Sequence, residues 1–124
     1  MTYTVEFLEE AKSDLAELDR EVQLAALRVA LILRDDPWIG APLRARDRVG
    51  DLSNCRRVSF DRAGWAGKPR YRLVYRSLPD EATIEIVQIV AVGPRQGLEA
   101  YRTAAARLRA EMRRRLTSGR EGEV

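Results

Sequence analysis

The sequence predicts a single-domain α+β fold with the element order β-α-α-β-β-β-α. Three observations carry this. A short segment with an apolar period of two opens the chain, two helical stripes follow, and three strand-like segments separated by turn residues precede a last helical stripe. Three strands joined without an intervening helix predict an antiparallel meander, with the helices packed on one face of the sheet.

Each element has its own signal. From Thr2 to Leu8, apolar Tyr3, Val5 and Phe7 alternate with polar Thr4 and Glu6, as in a half-buried strand. Glu9 to Leu18 places Ala11, Leu15 and Leu18 at helical spacing, with Glu9, Glu10 and Asp14 in the early turns, where they complement the helix dipole. Asp19 can cap a second helix with Val22, Ala25, Ala26, Val29, Ile32 and Leu33 along one stripe. Leu24, Leu27 and Leu31 make its other side apolar too, so this helix is either sandwiched or meets a partner; core is the usual answer. Asp36-Pro37 ends it. Residues 37–54 read as a loop, rich in Gly, Pro and charge. Cys55 to Asp61 alternates as a strand, with Cys55, Arg57, Ser59 and Asp61 on one face. Arg62 to Pro69 is a connection longer than a tight hairpin. Arg70 to Arg76 places Arg70, Arg72, Val74 and Arg76 on one face and Tyr71, Leu73 and Tyr75 on the other. After the turn Leu78-Pro79-Asp80-Glu81, Thr83 to Val92 is the most apolar strand and belongs centrally in the sheet. Leu98 to about Arg115 is helical by pattern. The domain is expected to span residues 1–116, with a polar, disordered tail over 117–124.

Composition bounds the chemistry. A chain of 124 residues buries a core without crosslinks. The single cysteine, Cys55, has no internal partner for a disulfide, which points to a reducing compartment. No apolar run has the length of a membrane span, and the N-terminus lacks a signal-peptide pattern, so a cytoplasmic protein is expected. The formal charge is +3, unevenly distributed: −5 over residues 1–43, +7 over 44–76 and +1 over 77–124. A basic middle suggests an anion-binding face, although twenty arginines against two lysines also fit a bias of genome composition. The absence of histidine removes Ser-His-Asp triads, Cys-His pairs and His-ligated zinc. One cysteine builds no thiolate cluster, and neither a P-loop nor a dinucleotide fingerprint is present. No cofactor or metal is expected; catalysis would fall to Arg, Lys, Tyr, Ser and carboxylates.

The segment with most chemical content is Ala91-Val92-Gly93-Pro94-Arg95, followed by Tyr101. A buried strand stops at a glycine, an arginine follows, and a helix carrying a tyrosine begins. Guanidinium presents a planar fork of donors suited to phosphate, and tyrosine stacks on bases or moves a proton. Phosphodiester recognition or cleavage fits this pairing. Blander readings exist: Tyr101 at helical spacing with Leu98, Ala105 and Leu108 suits a core aromatic, and Arg72 and Arg76 could pair with Glu85 or Asp61. Trp38 and Trp65 suit packing lids, and Cys55 a small buried hydrophobe.

Three motifs in order carry a resemblance: Asp51-Leu52-Ser53-Asn54-Cys55-Arg56-Arg57 entering a strand, Tyr71-Arg72-Leu73-Val74-Tyr75, and Val90-Ala91-Val92-Gly93-Pro94-Arg95 followed by Tyr101. From about Thr2 to Leu108 the chain resembles the RelE/ParE superfamily of bacterial toxin–antitoxin modules, and within it the RelE-like ribosome-dependent mRNA interferases. The resemblance implies the RelE-like fold and a metal-independent endoribonuclease. In it Arg72 would hold the scissile phosphate and Arg95 would stabilise the transition state, while Tyr101 would stack on the message or activate the attacking 2′-hydroxyl. Arg57 matches a basic position on the second strand. Ser59 stands where the best-studied type has a lysine that serves as candidate general acid, so this chain departs from the pattern there. Lys68, in the longer loop between the second and third strands, could reach the site, and Arg70 and Arg76 share the face of Arg72 as further RNA contacts. The implied partners are a cognate antitoxin, the ribosome and mRNA, with operator DNA bound through the antitoxin. Two other readings remain: a ParE-like inhibitor of DNA gyrase, and an inactivated toxin that acts only as an antitoxin-binding co-repressor.

Overall fold

The computed structural model describes residues 2–43, 54–95 and 99–122. The charged run at 44–48, the motif segment 51–53, Leu98 and the last two residues lie outside the described residues. The order is β1 (Thr4–Phe7), α1 (Glu9–Ala16), α2 (Arg20–Asp35), β2 (Ala41–Pro42), β3 (Cys55–Phe60), β4 (Tyr71–Pro79), β5 (Ile84–Pro94) and α3 (Glu99–Gly122). The strands form one sheet in the order β1-β5-β4-β3-β2. β1 runs parallel to β5, and the other pairs are antiparallel. The expected meander is β3-β4-β5. No helix among the described residues is long and apolar enough to cross a membrane.

The helices do not share a face, contrary to the sequence expectation. Val22, Ala26 and Leu33 of α2 and Ala11 of α1 pack with Leu73, Tyr75, Val87 and Ile89. Tyr101, Ala104 and Ala105 of α3 pack with Val74, Val90 and Cys55, whose side chains alternate to the opposite face. The cause is β5 itself. Its near-continuous apolar run presents hydrophobic side chains on both sides, and a strand buried on both faces must be covered on both. A bulge helps: β4 pairs Val74 with Ala91 but Tyr75 with Ile89, which leaves Val90 as the extra residue. Val90 and Ala91 thereby both enter the α3 cluster.

Two further expectations change. Leu24, Leu27, Leu31 and Ile32 are 44%, 42%, 55% and 48% exposed. The core reading of the first three is therefore overturned, and Ile32 leaves the buried stripe, which passes through Ala30 instead. The segment read as loop contains the two-residue strand β2, paired with Arg56 and Arg57. Gly40 admits it: a Cβ there would lie 2.6 Å from Tyr75 Oη and 2.9 Å from the Arg57 carbonyl. Tyr75 Oη donates to the Pro37 carbonyl at 2.7 Å and accepts the Gly40 N–H at 3.0 Å, and burial pushes its pKa up. α3 continues past the expected end near Arg115 to Gly122, with Glu111 paired to Arg115 one turn on.

β1 stops opposite Ile89, so the outer edge of β5 beyond it lacks a neighbouring strand among the described residues. Side chains complete that edge. Asp14 of α1 accepts the Val92 N–H at 3.0 Å, and Arg107 of α3 donates to the Val90 carbonyl at 2.8 Å. The two join in a bidentate pair at 2.6 and 2.8 Å, with only 17% and 21% side-chain exposure. The hydrogen bonds that Arg107 donates to Asp14 hold the Arg107 pKa up. Asp14→Ala would orphan a guanidinium and a backbone N–H together. It is expected to cost about 2–4 kcal/mol in urea unfolding; a loss below about 0.5 kcal/mol would show that water replaces the carboxylate.

Candidate functional site

The α3 face of the sheet carries a row fixed by register: Ser59 on β3 lies opposite Arg72 on β4, which lies opposite Gly93 on β5. Above the row sits Tyr101, whose ring is 2% exposed within the α3 cluster. Arg72 Nη1 donates to Tyr101 Oη, and the guanidinium carbon lies 5.1 Å from the ring centroid. Tyr101 is thus a core aromatic, as one sequence reading had it, and its hydroxyl meets Arg72. A ring so buried offers the site its phenol oxygen rather than a face for stacking. A Cβ at Gly93 would meet nothing within 4 Å, so the space beside Arg72 is open.

Arg95 continues the ladder past Pro94. Its N–H donates to the Arg70 carbonyl at 2.7 Å, and Nη1 reaches the Pro69 carbonyl at 3.5 Å. Arg95 has no carboxylate partner among the described residues. Arg57, partly buried, sits on the same face one row along, opposite Val74.

The other candidates are engaged elsewhere. Arg76 donates to Gln88 at 2.8 Å and to Glu111 of α3 at 3.2 Å, and burial lowers its pKa. Arg70 forms a fork on Asp61, with both bonds 2.9 Å, and lies 3.5 Å over the Trp65 ring. Neither Arg72 nor Arg76 takes Asp61 or Glu85 in an ion pair, as the blander reading allowed. Lys68 is exposed in the loop, where its carbonyl accepts the Trp65 indole N–H at 3.2 Å. Trp65 is therefore a loop organiser and Cys55 a buried residue, 2% exposed.

Three residues gained importance only in three dimensions. Arg107 and Asp14 position α3, and Asp61 gathers the β3–β4 connection. In the sequence Asp61 is one of three acidic residues, with Asp47 and Asp51, in the basic stretch 44–76, so no signal there singled it out. The Arg70 fork, then the Arg70 and Arg62 N–H donors, hold its carboxyl far below the usual range against the opposing effect of burial.

The fold and site define a class, small sheet proteins whose C-terminal helix closes an arginine-bearing face. The profile of the ParE toxin of the type II toxin–antitoxin system parDE matches residues 5–99, and the chain belongs to that family, within the RelE/ParE superfamily of toxins. A putative RelE-like toxin protein of Escherichia coli is 28% identical over 110 residues, which cover 88% of this chain and 100% of the relative. The free E. coli toxin RelE, solved as a double arginine-to-alanine mutant, superposes with a TM-score of 0.63 at 23% identity, covering 86% of this chain and 98% of that one. A chain of the RelBE2 toxin–antitoxin complex from Mycobacterium tuberculosis gives 0.54 at 30% identity, covering 77% and 100%.

Because the folded-state pKa of Asp61 is depressed, its stabilising contribution is present above the ordinary carboxylate value and lost as pH falls toward the folded one. The stability gap between wild type and Asp61→Asn is expected to stay constant from about pH 8 to 5 and to close progressively below about pH 4 in urea titrations. A gap unchanged at low pH would remove the charged fork as its cause.

Proposed function

We propose that this toxin is an endoribonuclease that cleaves mRNA on the ribosome by attack of a ribose 2′-hydroxyl on the adjacent phosphate. The observation that carries the reading is the Arg72–Tyr101 contact over open space at Gly93. In-line attack builds negative charge on the phosphoryl oxygens. Arg72, held by the phenol, and Arg95, with no carboxylate partner among the described residues, are suited to stabilise it, the kind of preorganised electrostatics that dominates many enzymes. The bond from the 2′-oxygen to phosphorus forms as the bond to the 5′-oxygen breaks. The products are a 2′,3′-cyclic phosphate and a 5′-hydroxyl. Ser59, opposite Arg72, leaves proton transfer to the 5′-oxygen without a strong side-chain acid in that row, so slow cleavage is expected.

A second reading, gyrase inhibition, draws on the match to the ParE profile and on Ser59. The two part on message integrity. Inducible expression followed by mapping of message 5′ ends should give cuts within ribosome-bound codons, and Arg72→Ala and Arg95→Ala should each lower cutting about a hundredfold or more with the fold intact. Growth arrest with intact messages and damaged DNA would replace the nuclease by the gyrase reading.

The partner is a cognate antitoxin, as in the complexes formed by the relatives. Its seat is the exposed apolar side of α2, where Val5, Phe7, Leu27, Ala30, Leu31 and Arg34 line a cleft of about 330 Å³ beside the edge of β1, which has no further strand partner among the described residues. An apolar helix or an added strand suits such a surface. Leu27→Glu with Leu31→Glu is expected to leave growth arrest intact while co-expressed antitoxin no longer relieves it. Undiminished neutralisation would place the antitoxin elsewhere.

A further inference from the structure

We infer that Asp61 is a positioning residue for Arg95, acting through the main chain of Arg70. The inference rests on the nuclease reading above and deepens it. Asp61 has a side chain only 4% exposed and accepts four hydrogen bonds: from the Arg62 N–H at 2.8 Å, and from the N–H, Nε and Nη2 of Arg70, each at 2.9 Å. It therefore ties together both ends of the connection between β3 and β4. Trp65 completes the tie, with Arg70 stacked on its ring at 3.5 Å and its indole bonded to the Lys68 carbonyl. The residue so fixed is the one that matters. Arg70 gives its N–H to Asp61, and its own carbonyl takes the N–H of Arg95 at 2.7 Å. Pro69, in the same tethered segment, offers its carbonyl to the Arg95 guanidinium.

Electrostatics adds a second reason. The β4–β5 register pairs Tyr71 with Pro94, so Arg70 falls directly opposite Arg95. Two facing guanidinium groups repel and would scatter each other's rotamers. Asp61 neutralises Arg70, and Trp65 holds it flat, so of this pair only Arg95 is left to face an incoming phosphate. The arrangement makes the β3–β4 connection part of the active-site support, and the Arg70 side chain a strut in it instead of an RNA ligand.

The test is single-turnover cleavage of ribosome-bound message by Asp61→Asn, in the wild-type and Arg95→Ala backgrounds. A misplaced charge-stabilising group lowers the chemical rate, so kcat should fall about tenfold to a hundredfold with KM unchanged. In the Arg95→Ala background the same substitution should have no further effect. Equal losses in both backgrounds, or no loss, would overturn the inference, since a merely structural role does not depend on Arg95. If Asp61→Asn does not fold, Arg70→Met makes the same cut from the exposed side of the pair. If wild type cleaves no message, the nuclease reading fails, and the positioning claim is then decided by the Arg95 Nε–H resonance in nitrogen-15 spectra. A shift or broadening of that signal in Asp61→Asn upholds the tie; an unmoved signal overturns it.

Discussion

Everything on the α3 face depends on the pairing of Asp14 with Arg107. The sheet loses a strand where β1 stops, and the exposed edge of β5 would otherwise present the Val92 N–H and the Val90 carbonyl to solvent or to another chain. One carboxylate and one guanidinium satisfy both groups and each other. In doing so they bind the first helix to the last across the edge of the sheet. The apolar contact of α3 is chiefly alanines around one tyrosine, so this ion pair, together with Arg76–Glu111, sets where that helix lies. The position of Tyr101 over Arg72 follows from it.

The basic stretch proves to be a sorted set of charges. Arg56 is joined to Glu81, Arg70 to Asp61 and Arg76 to Glu111. Each of these pairs fixes structure: a turn, a loop, a helix. Arg95 has no carboxylate partner among the described residues, and Arg72 donates to the phenol of Tyr101. Arg72 and Arg95 both lie at one end of the sheet, where the start of β4 meets the end of β5. Two faces of the protein then differ in character. The α3 side carries this charge, and the opposite side carries the exposed leucines of α2, suited to an apolar partner.

Much of this was legible in the residues. Alternation in Tyr3, Val5 and Phe7, the stripe from Val22 to Leu33 and the apolar run ending at Gly93 gave element types, their order and the meander. The motif around Arg72, Arg95 and Tyr101 gave the superfamily. What the pattern missed has a common cause. The parallel docking of β1 on β5, the side chosen by α3 and the edge completed by Asp14 and Arg107 all join residues distant in sequence, and periodicity reports only neighbours. The leucines of α2 misled for the opposite reason: apolar spacing says that a face wants cover, not that this chain supplies it.

The sequence by itself determined the inventory. It held a histidine-free set of arginines, one suitably placed tyrosine and a strand apolar on both sides, and these limit the chemistry to charge stabilisation and proton transfer without metal-binding imidazoles. Only the tertiary structure decided which of the described arginines sit beside carboxylates. A guanidinium beside a carboxylate and one beside a phenol look the same in a list of residues, and the difference lies in contacts such as Arg70 with Asp61, made where two strands and their connection meet.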